Sequence, residues 1–290
     1  MEVIRSMARM KGAAEEMRAK GVFGLVPTMG ALHEGHLALI RRAKRECGGT
    51  VVSIFVNPIQ FGPAEDFQSY PRPLEHDLSL CEREGVDLVF HPDPEEVFPQ
   101  GYRTYAQVEG LSEILCGASR PTHFRGVATV VLKLFNIVTP HRAYFGEKDY
   151  QQLVIVRQLA RDLNLPVEVV GVPTVRDEDG LALSSRNQYL SREERQSALS
   201  LCRGLLAARE AFRNGERRAE ALEAAMRKEV EKPGIVVEYA QVVDPLDLHR
   251  LEQVTVRARA VIAARIGKAR LIDNMLISEA DETGSGEESR

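Results

Sequence analysis

The chain has 290 residues, enough for one large domain or two ordinary ones with a buried core. Hydrophobic residues make up 44% and charged residues 28%, the balance of a globular protein and not of a disordered one. A net charge of −4 with no basic tract argues against nucleic acid as a partner, and no apolar run approaches the ~18–20 residues of a membrane helix.

Met1 to Lys20 mixes charges with Ala and Met and lacks the apolar stretch of a signal peptide. Cys47, Cys81, Cys116 and Cys202 form no C-x-x-C pair, so they read as packing thiols in a reducing compartment. A cytoplasmic protein with no membrane partner is expected.

In chain order, Ile4 to Lys20 reads as an amphipathic helix and Val22 to Val26 as a buried strand. Pro27-Thr28-Met29-Gly30-Ala31-Leu32-His33-Glu34-Gly35-His36 follows, and then Leu37, Ile40 and Ala43 recur at helical spacing. A strand, a sharp turn and a helix start aim backbone N–H groups at one point, which suits a phosphate. His36-Leu37 stands where a P-loop needs Lys and Ser or Thr, and His-Glu-Gly-His has the wrong spacing for a zinc helix. Taken alone, this stretch leaves two readings open: a phosphate site, or two solvent-exposed histidines on an amphipathic helix.

Thr50 to Val56 is a second strand, ending at Asn57-Pro58-Ile59-Gln60-Phe61-Gly62. Pro73 to Glu84 is helical and Val86 to Phe90 a third strand; Pro92 to Gly101 is a loop, and Gly110 to Arg120 a short helical piece. Gly126 to Val138 is apolar over a broad surface, as in a buried helix. Arg142 to Phe145 is a fourth strand running into Gly146-Glu147-Lys148-Asp149, Tyr150 to Leu163 a helix, and Val167 to Val170 a fifth strand. Strands alternating with helices predict a Rossmann-like, doubly wound parallel sheet of the α/β class over residues 1–175. Ligands of such sheets gather outside the carboxyl ends of the strands, where the signature, Asn57 to Gly62 and Gly146 to Gln152 all fall.

From residue 176 to 290 a smaller α+β domain is expected, carrying Leu183-Ser184-Ser185-Arg186. Ser191 with Glu194 is a capping box that opens a helix to about Arg213, and a second helix covers Arg217 to Lys232. Ile235 to Val243, Gln253 to Ala264 and Arg270 to Ile277 suggest an antiparallel sheet, and the polar tail from about Asp281 to Arg290 is expected to be disordered.

Five segments in this order resemble the pantothenate synthetase (pantoate–β-alanine ligase) family, a branch of the His-x-Gly-His nucleotidyltransferases related to class I tRNA synthetases. They are Pro27 to His36, Asn57 to Phe61, Pro121 to Val127, Gly146 to Gln152 and Gly180 to Asn187. The resemblance covers the chain to about residue 280 and implies an AMP-forming ligase. In such an enzyme the pantoate carboxylate attacks the α-phosphate of ATP, pyrophosphate leaves, and the β-alanine amine then attacks the pantoyl adenylate. The first step needs no base, because a carboxylate is already ionised at neutral pH. It needs two anions aligned and the developing phosphoryl charge neutralised.

What the resemblance implies for single residues can be set beside their chemistry. His33, His36, Lys148, Ser184, Ser185 and Arg186 are the expected catalytic set, meeting phosphate oxygens with imidazole, ammonium, hydroxyl and guanidinium donors. Pro27, Met29, Gly30, Gly35, Gly146, Asp149, Val175 and Leu183 complete the expected ATP site. The family pattern has Met where this chain has Leu183, a swap of similar volume. Asp149 is expected to reach Mg²⁺ indirectly, through the ATP phosphates, the alternative being a pair with Lys148. Gln60 and Gln152, whose neutral amides donate and accept without repelling the nucleophile, are expected to hold pantoate with Met29, and the valines of Val127 to Val131 to pack near its methyl groups. Arg120, His123 and Arg125 either orient the site or hold the fold. A homodimer is expected. A plain nucleotidyltransferase would share the histidines but want more cations in its acceptor pocket, and a non-catalytic nucleotide-binding scaffold would have lost site positions that are all present here.

Overall fold

The computed structural model describes residues 1–63 and 65–279; the expected disordered tail lies outside them. Among the described residues two compact units emerge, Met1–Arg176 with Leu183–Ser185, and Asp177–Ala182 with the chain from Arg186 onward.

The first unit is built on a parallel sheet. Its strands are β1 (Glu2–Ile4), β2 (Phe23–Thr28), β3 (Gly49–Ile54), β4 (Leu88–Phe90), β5 (Arg142–Gly146) and β6 (Glu168–Val172). They lie in the order β1-β4-β3-β2-β5-β6, each pairing parallel. The connecting helices are α1 (Met7–Lys20), α2 (Glu34–Glu46), α3 (Leu74–Arg83), α4 (Pro94–Val97), α5 (Cys116–Ser119), α6 (His123–Val138) and α7 (Tyr150–Asp162). Phe23, Leu25, Val26, Val51 and Val52 are all fully buried. Such continuous apolar runs belong to strands covered on both faces, as the Rossmann-like expectation requires. From β2 the chain lays β3 and β4 to one side, whereas β5 and β6 lie on the other. The carboxyl ends of β2 and β5 therefore flank a topological switch point, the usual place for a ligand crevice.

Three local expectations are corrected. Ile4 does not begin the first helix; it ends the edge strand β1, and Ser6 caps α1 by accepting the Arg9 N–H at 3.2 Å. A three-residue strand in which only Ile4 is buried is too short to show a period-two pattern. Within the expected loop, Pro94 starts the one-turn α4. The helical piece expected from Gly110 shrinks to α5, because Leu115 adopts φ 49°, outside the right-handed helical region.

Helix α6 begins at His123, slightly earlier than expected, and presses onto the short 3-10 turn Pro58–Gln60. The contact needs a glycine. A Cβ on Gly126 would lie 2.5 Å from the Ile59 carbonyl oxygen and 2.6 Å from the Gln60 Cα.

In the second unit α8 (Arg192–Arg213) and α9 (Ala219–Val230) join the antiparallel sheet β7-β8-β9, formed by Ile235–Val243, Arg257–Ile266 and Ala269–Ser278. Leu201, Leu205, Phe212, Leu222 and Met226 from the helices bury against Ala258, Ala260, Ile262 and Ala264 of β8. The Ser191–Glu194 capping box is present. The run expected from Gln253 forms strand only from Arg257.

The Leu183-Ser184-Ser185-Arg186 loop does not belong whole to the second unit. Leu183–Ser185 groups with the first, where the Leu183 N–H donates to the Val175 carbonyl at 3.0 Å and the Tyr70 and Ser185 hydroxyls lie 3.4 Å apart. Arg186 stays with the second unit.

Candidate active site

At the end of β2 the Thr28 hydroxyl donates to the Ser53 carbonyl at 2.7 Å and accepts the Gly30 N–H at 3.2 Å, which turns the chain sharply. Gly30 has φ 82° and Ala31 φ 49°. Only glycine fits the first of these positions, since a Cβ there would lie 2.9 Å from Asp77 Oδ2 and 3.1 Å from Ile54 Cγ2. Asp77, 1% exposed on α3, accepts the Ala31 N–H at 2.9 Å on Oδ2 and the Leu32 N–H at 2.8 Å on Oδ1. Burial pushes its pKa up, and the two backbone N–H groups oppose that shift.

The helix start is capped by imidazoles. His33 occupies the N-cap of α2 and its Nδ1 accepts the Gly35 N–H at 3.1 Å; His36 Nδ1 accepts the His33 N–H at 3.3 Å. With Nδ1 used as an acceptor, each neutral ring carries its hydrogen on Nε2 and is a donor there. The ring centroids are 4.1 Å apart. Burial, then the field of His33, pushes the His36 pKa down to about 3, with Lys148 acting the same way and Asp149 opposing. His36 is therefore a neutral donor at neutral pH. A Cβ on Gly35 would come within 2.8 Å of His33 Cε1, so this glycine makes room for the His33 ring, besides the room for a nucleotide that the family resemblance implies.

The electrostatic reach of Lys148 and Asp149 to His36 places the end of β5 beside the start of α2. Both residues lie on the 3-10 turn Glu147–Asp149, with Lys148 Nζ 3.8 Å from Asp149 Oδ2. A Cβ on the preceding Gly146 would meet nothing within 4 Å. Leu183 closes in from another segment, its Cβ 3.9 Å from where a Gly35 Cβ would stand.

Gln60 sits at the end of β3's following turn and is 8% exposed. Its Oε1 accepts from Asn57 Nδ2 at 2.9 Å, and its Nε2 donates to Met29 Sδ at 3.0 Å, so two of the three expected pantoate contacts touch one another. Asn57, 1% exposed, also donates to the Gly126 carbonyl at 3.1 Å. His123 Nδ1 donates to the Gln60 carbonyl at 3.0 Å, the opposite tautomer to His33 and His36. Its pKa is pushed down to about 4 by burial and then by Arg120; the Gln60 carbonyl, Glu65 and Asp149 oppose. His33, His36, Met29, Gln60, His123, Lys148 and Asp149 thus share one neighbourhood.

The remaining positions divide. Gln152 is partly exposed on α7. Its neighbour Gln151 is buried, donating to the Leu111 and Ile114 carbonyls at 2.8 Å each and accepting the Cys116 N–H at 3.0 Å, so that amide belongs to the fold. Arg120 pairs with Glu65 at 2.6 and 2.5 Å, and the Arg125 guanidinium lies 3.9 Å over the Tyr105 ring. Val127 and Val131, at 2% and 3% exposed, are core residues first. Sequence reasoning passed over Asp77, and it marked the Asn57 to Gly62 segment without giving Asn57 a role of its own. Asp77 had a signal: it falls between Leu74 and Cys81 at helical spacing, an acid on the apolar stripe of α3.

The family model described as Pantoate-beta-alanine ligase matches residues 2–276. The chain is 51% identical over 283 residues to a pantothenate synthetase of Moorella thermoacetica, covering 97% of this chain and 100% of that one. It is 54% identical over 278 residues to the pantothenate synthetase of Roseiflexus sp. RS-1, covering 96% and 99%. A crystal structure of pantothenate synthetase from Thermus thermophilus superposes with a TM-score of 0.92 at 50% identity, covering 96% of this chain and all of that one. A pantoate-beta-alanine ligase from Francisella tularensis, complexed with Beta-gamma ATP and Beta-alanine, matches with a TM-score of 0.78 at 34% identity over 98% and 99% of the two chains. With the family model spanning nearly its whole length and relatives half identical end to end, the chain belongs to the pantoate–β-alanine ligase family.

Proposed function

We propose that this protein joins pantoate to β-alanine through a pantoyl adenylate, converting ATP to AMP and pyrophosphate. The carrying observation is that both imidazoles at the start of α2 accept backbone N–H groups on Nδ1, which leaves the Nε2–H of His36, a ring held neutral by burial, as a donor beside Lys148 at the tip of β5. The family membership and the Francisella complex with ATP and β-alanine support the same reading.

In this reading His33, His36 and Lys148 donate to the α- and β-phosphate oxygens, where negative charge grows as the pantoate carboxylate attacks. Imidazole and ammonium donors share that task without a proton transfer, since the nucleophile arrives ionised. The Gln60 amide, held between Asn57 and Met29, holds pantoate together with Gln152. Among the described residues nothing stands within 4 Å of where a Cβ of residue 146 would lie, which fits a position kept small for a bound nucleotide. Pro27, Met29, Gly30, Gly35, Val175 and Leu183 line the nucleotide, and Ser184, Ser185 and, next along the chain, Arg186 take the outer phosphates. The half-exposed Asp149 carboxylate fits Mg²⁺ shared with phosphate oxygens, the usual way this ion is held. Bound there, Mg²⁺ would offset phosphate charge. The proposed setting is a cytoplasmic homodimer, the dimer being testable by sedimentation. Among the described residues no helix is long and apolar enough to cross a membrane.

The test is to incubate the purified protein with ATP, Mg²⁺, pantoate and β-alanine. AMP should accumulate only with both acids, and exchange of labelled pyrophosphate into ATP should need pantoate alone. ATP that binds yet is never consumed would overturn the ligase reading.

A further inference from the structure

Two consecutive residues of the signature turn, Gly30 and Ala31, hold left-handed backbone, and Ala31 does so with a side chain that disfavours it. Something must impose that conformation. The two N–H groups that follow the bend, on Ala31 and Leu32, both donate to Asp77, a carboxylate brought from α3, 46 and 45 residues further along the chain. The same carboxylate comes within 2.9 Å of where a Cβ of residue 30 would stand, so its position and the glycine are matched. On one side of the turn stands Met29, against Gln60; on the other stands His33, the cap of α2. A cavity of about 300 Å³ adjoins, lined by Met29, Gly30, Ile54, Phe67, Asp77 and His91, so a released turn would have space to collapse into.

We infer that Asp77 is a positioning residue: its carboxylate clamps the Gly30–Leu32 turn so that Met29 and the two histidines stand ready for the nucleotide. The inference rests on the ATP-dependent ligase reading given above. An uncharged amide replaces the clamp poorly, because the two N–H groups sit on separate carboxylate oxygens and an amide sets an N–H against one of them. A helix anchor of purely structural value would behave differently, lowering stability without a selective effect on ATP.

The test compares Asp77→Asn with Leu78→Ala, which weakens α3 at a partly buried apolar residue that has no polar side-chain atom to hold the turn N–H groups. Both are assayed well below their melting temperatures, and ATP affinity is also measured directly by titration without pantoate. Asp77→Asn should raise the ATP KM and dissociation constant at least tenfold and speed amide exchange at Ala31 and Leu32, with β-alanine KM changed less than twofold. Leu78→Ala should keep native ATP constants even at a comparable loss of melting temperature. Native ATP constants in Asp77→Asn, or an equal loss in both variants, would overturn the inference. Should Asp77→Asn not fold, Asp77→Ser is put to the same comparison with the same outcomes. Lack of any turnover by the unmodified protein would defeat the ligase reading instead, a result distinct from either.

Discussion

An imidazole that caps a helix through Nδ1 has only Nε2–H left to present, and substitution can separate these two tasks. At position 36, Asn places an acceptor oxygen near the place of Nδ1, whereas Gln reaches far enough to set an N–H near the place of Nε2. His36→Asn should therefore keep the bond to the His33 N–H and lose the outward donor. Its pyrophosphate exchange should fall by roughly 10²–10³-fold, the usual effect of deleting one donor to a developing oxyanion. His36→Gln should lie at least about tenfold above His36→Asn by the same measure, with both melting near the unmodified protein. Equal rates for the two would mean that Nε2 does not act as the donor. The two histidines were legible because their spacing at a strand-to-helix turn is a local property. Asp77 and Asn57 were not, because each acts on a segment that sequence distance conceals: Asp77 on a turn more than 40 residues back, Asn57 on α6 through the Gly126 carbonyl.

Among the elements, the seat of α6 on the Pro58–Gln60 turn has the narrowest tolerance. Gly126→Ala would set a methyl group within 2.7 Å of backbone atoms of Ile59 and Gln60, none of which can rotate away. The expected cost is about 1–3 kcal/mol of stability, read from urea unfolding. Because the displaced residue is Gln60, the pantoate KM should rise as well, while the ATP KM changes little. An unchanged pantoate KM would detach Gln60 from pantoate. The longer helices were the legible elements, α8 down to its capping box, since each carries its period and its stop signals in ten or more residues. The short pieces were not: β1 has three residues, α4 four, and α5 is cut back by the left-handed Leu115. Such pieces take their shape from neighbours, which a local pattern does not contain.

For the whole molecule, acid should act through histidines that fold uncharged. The pKa of His36 is lowered to about 3 and that of His123 to about 4, from an ordinary value near 6.5. The unfolded chain therefore binds protons between about pH 6.5 and 4 that the native chain refuses, and stability must fall as pH falls through that window. Above about pH 7 these groups contribute no slope. Glu65 and Glu46 act in the same direction at lower pH: burial raises their pKa, but Arg120 in one case and Arg42 with Tyr144 in the other hold it below the usual carboxylate value. Urea midpoints at pH 7.5, 6 and 5 should descend in that order, and a flat series would show that the two rings titrate normally in the native state. The α/β class and the antiparallel character of the carboxy-terminal sheet could be read from the order of the elements. The lateral order of the strands could not, because it depends on long-range pairing.

The grouping of Leu183–Ser185 with the first unit bears on how members of this family can be recombined. A chimaera joined after Arg176 takes its serine segment from one parent, while the Val175 carbonyl and the Tyr70 hydroxyl that hold it come from the other. Joined instead after Ser185, the hybrid inherits that segment together with its anchors, and only the neighbouring arginine changes parent. Exchange points in this lineage should therefore be tolerated better a few residues past the serines than at the boundary that composition suggests.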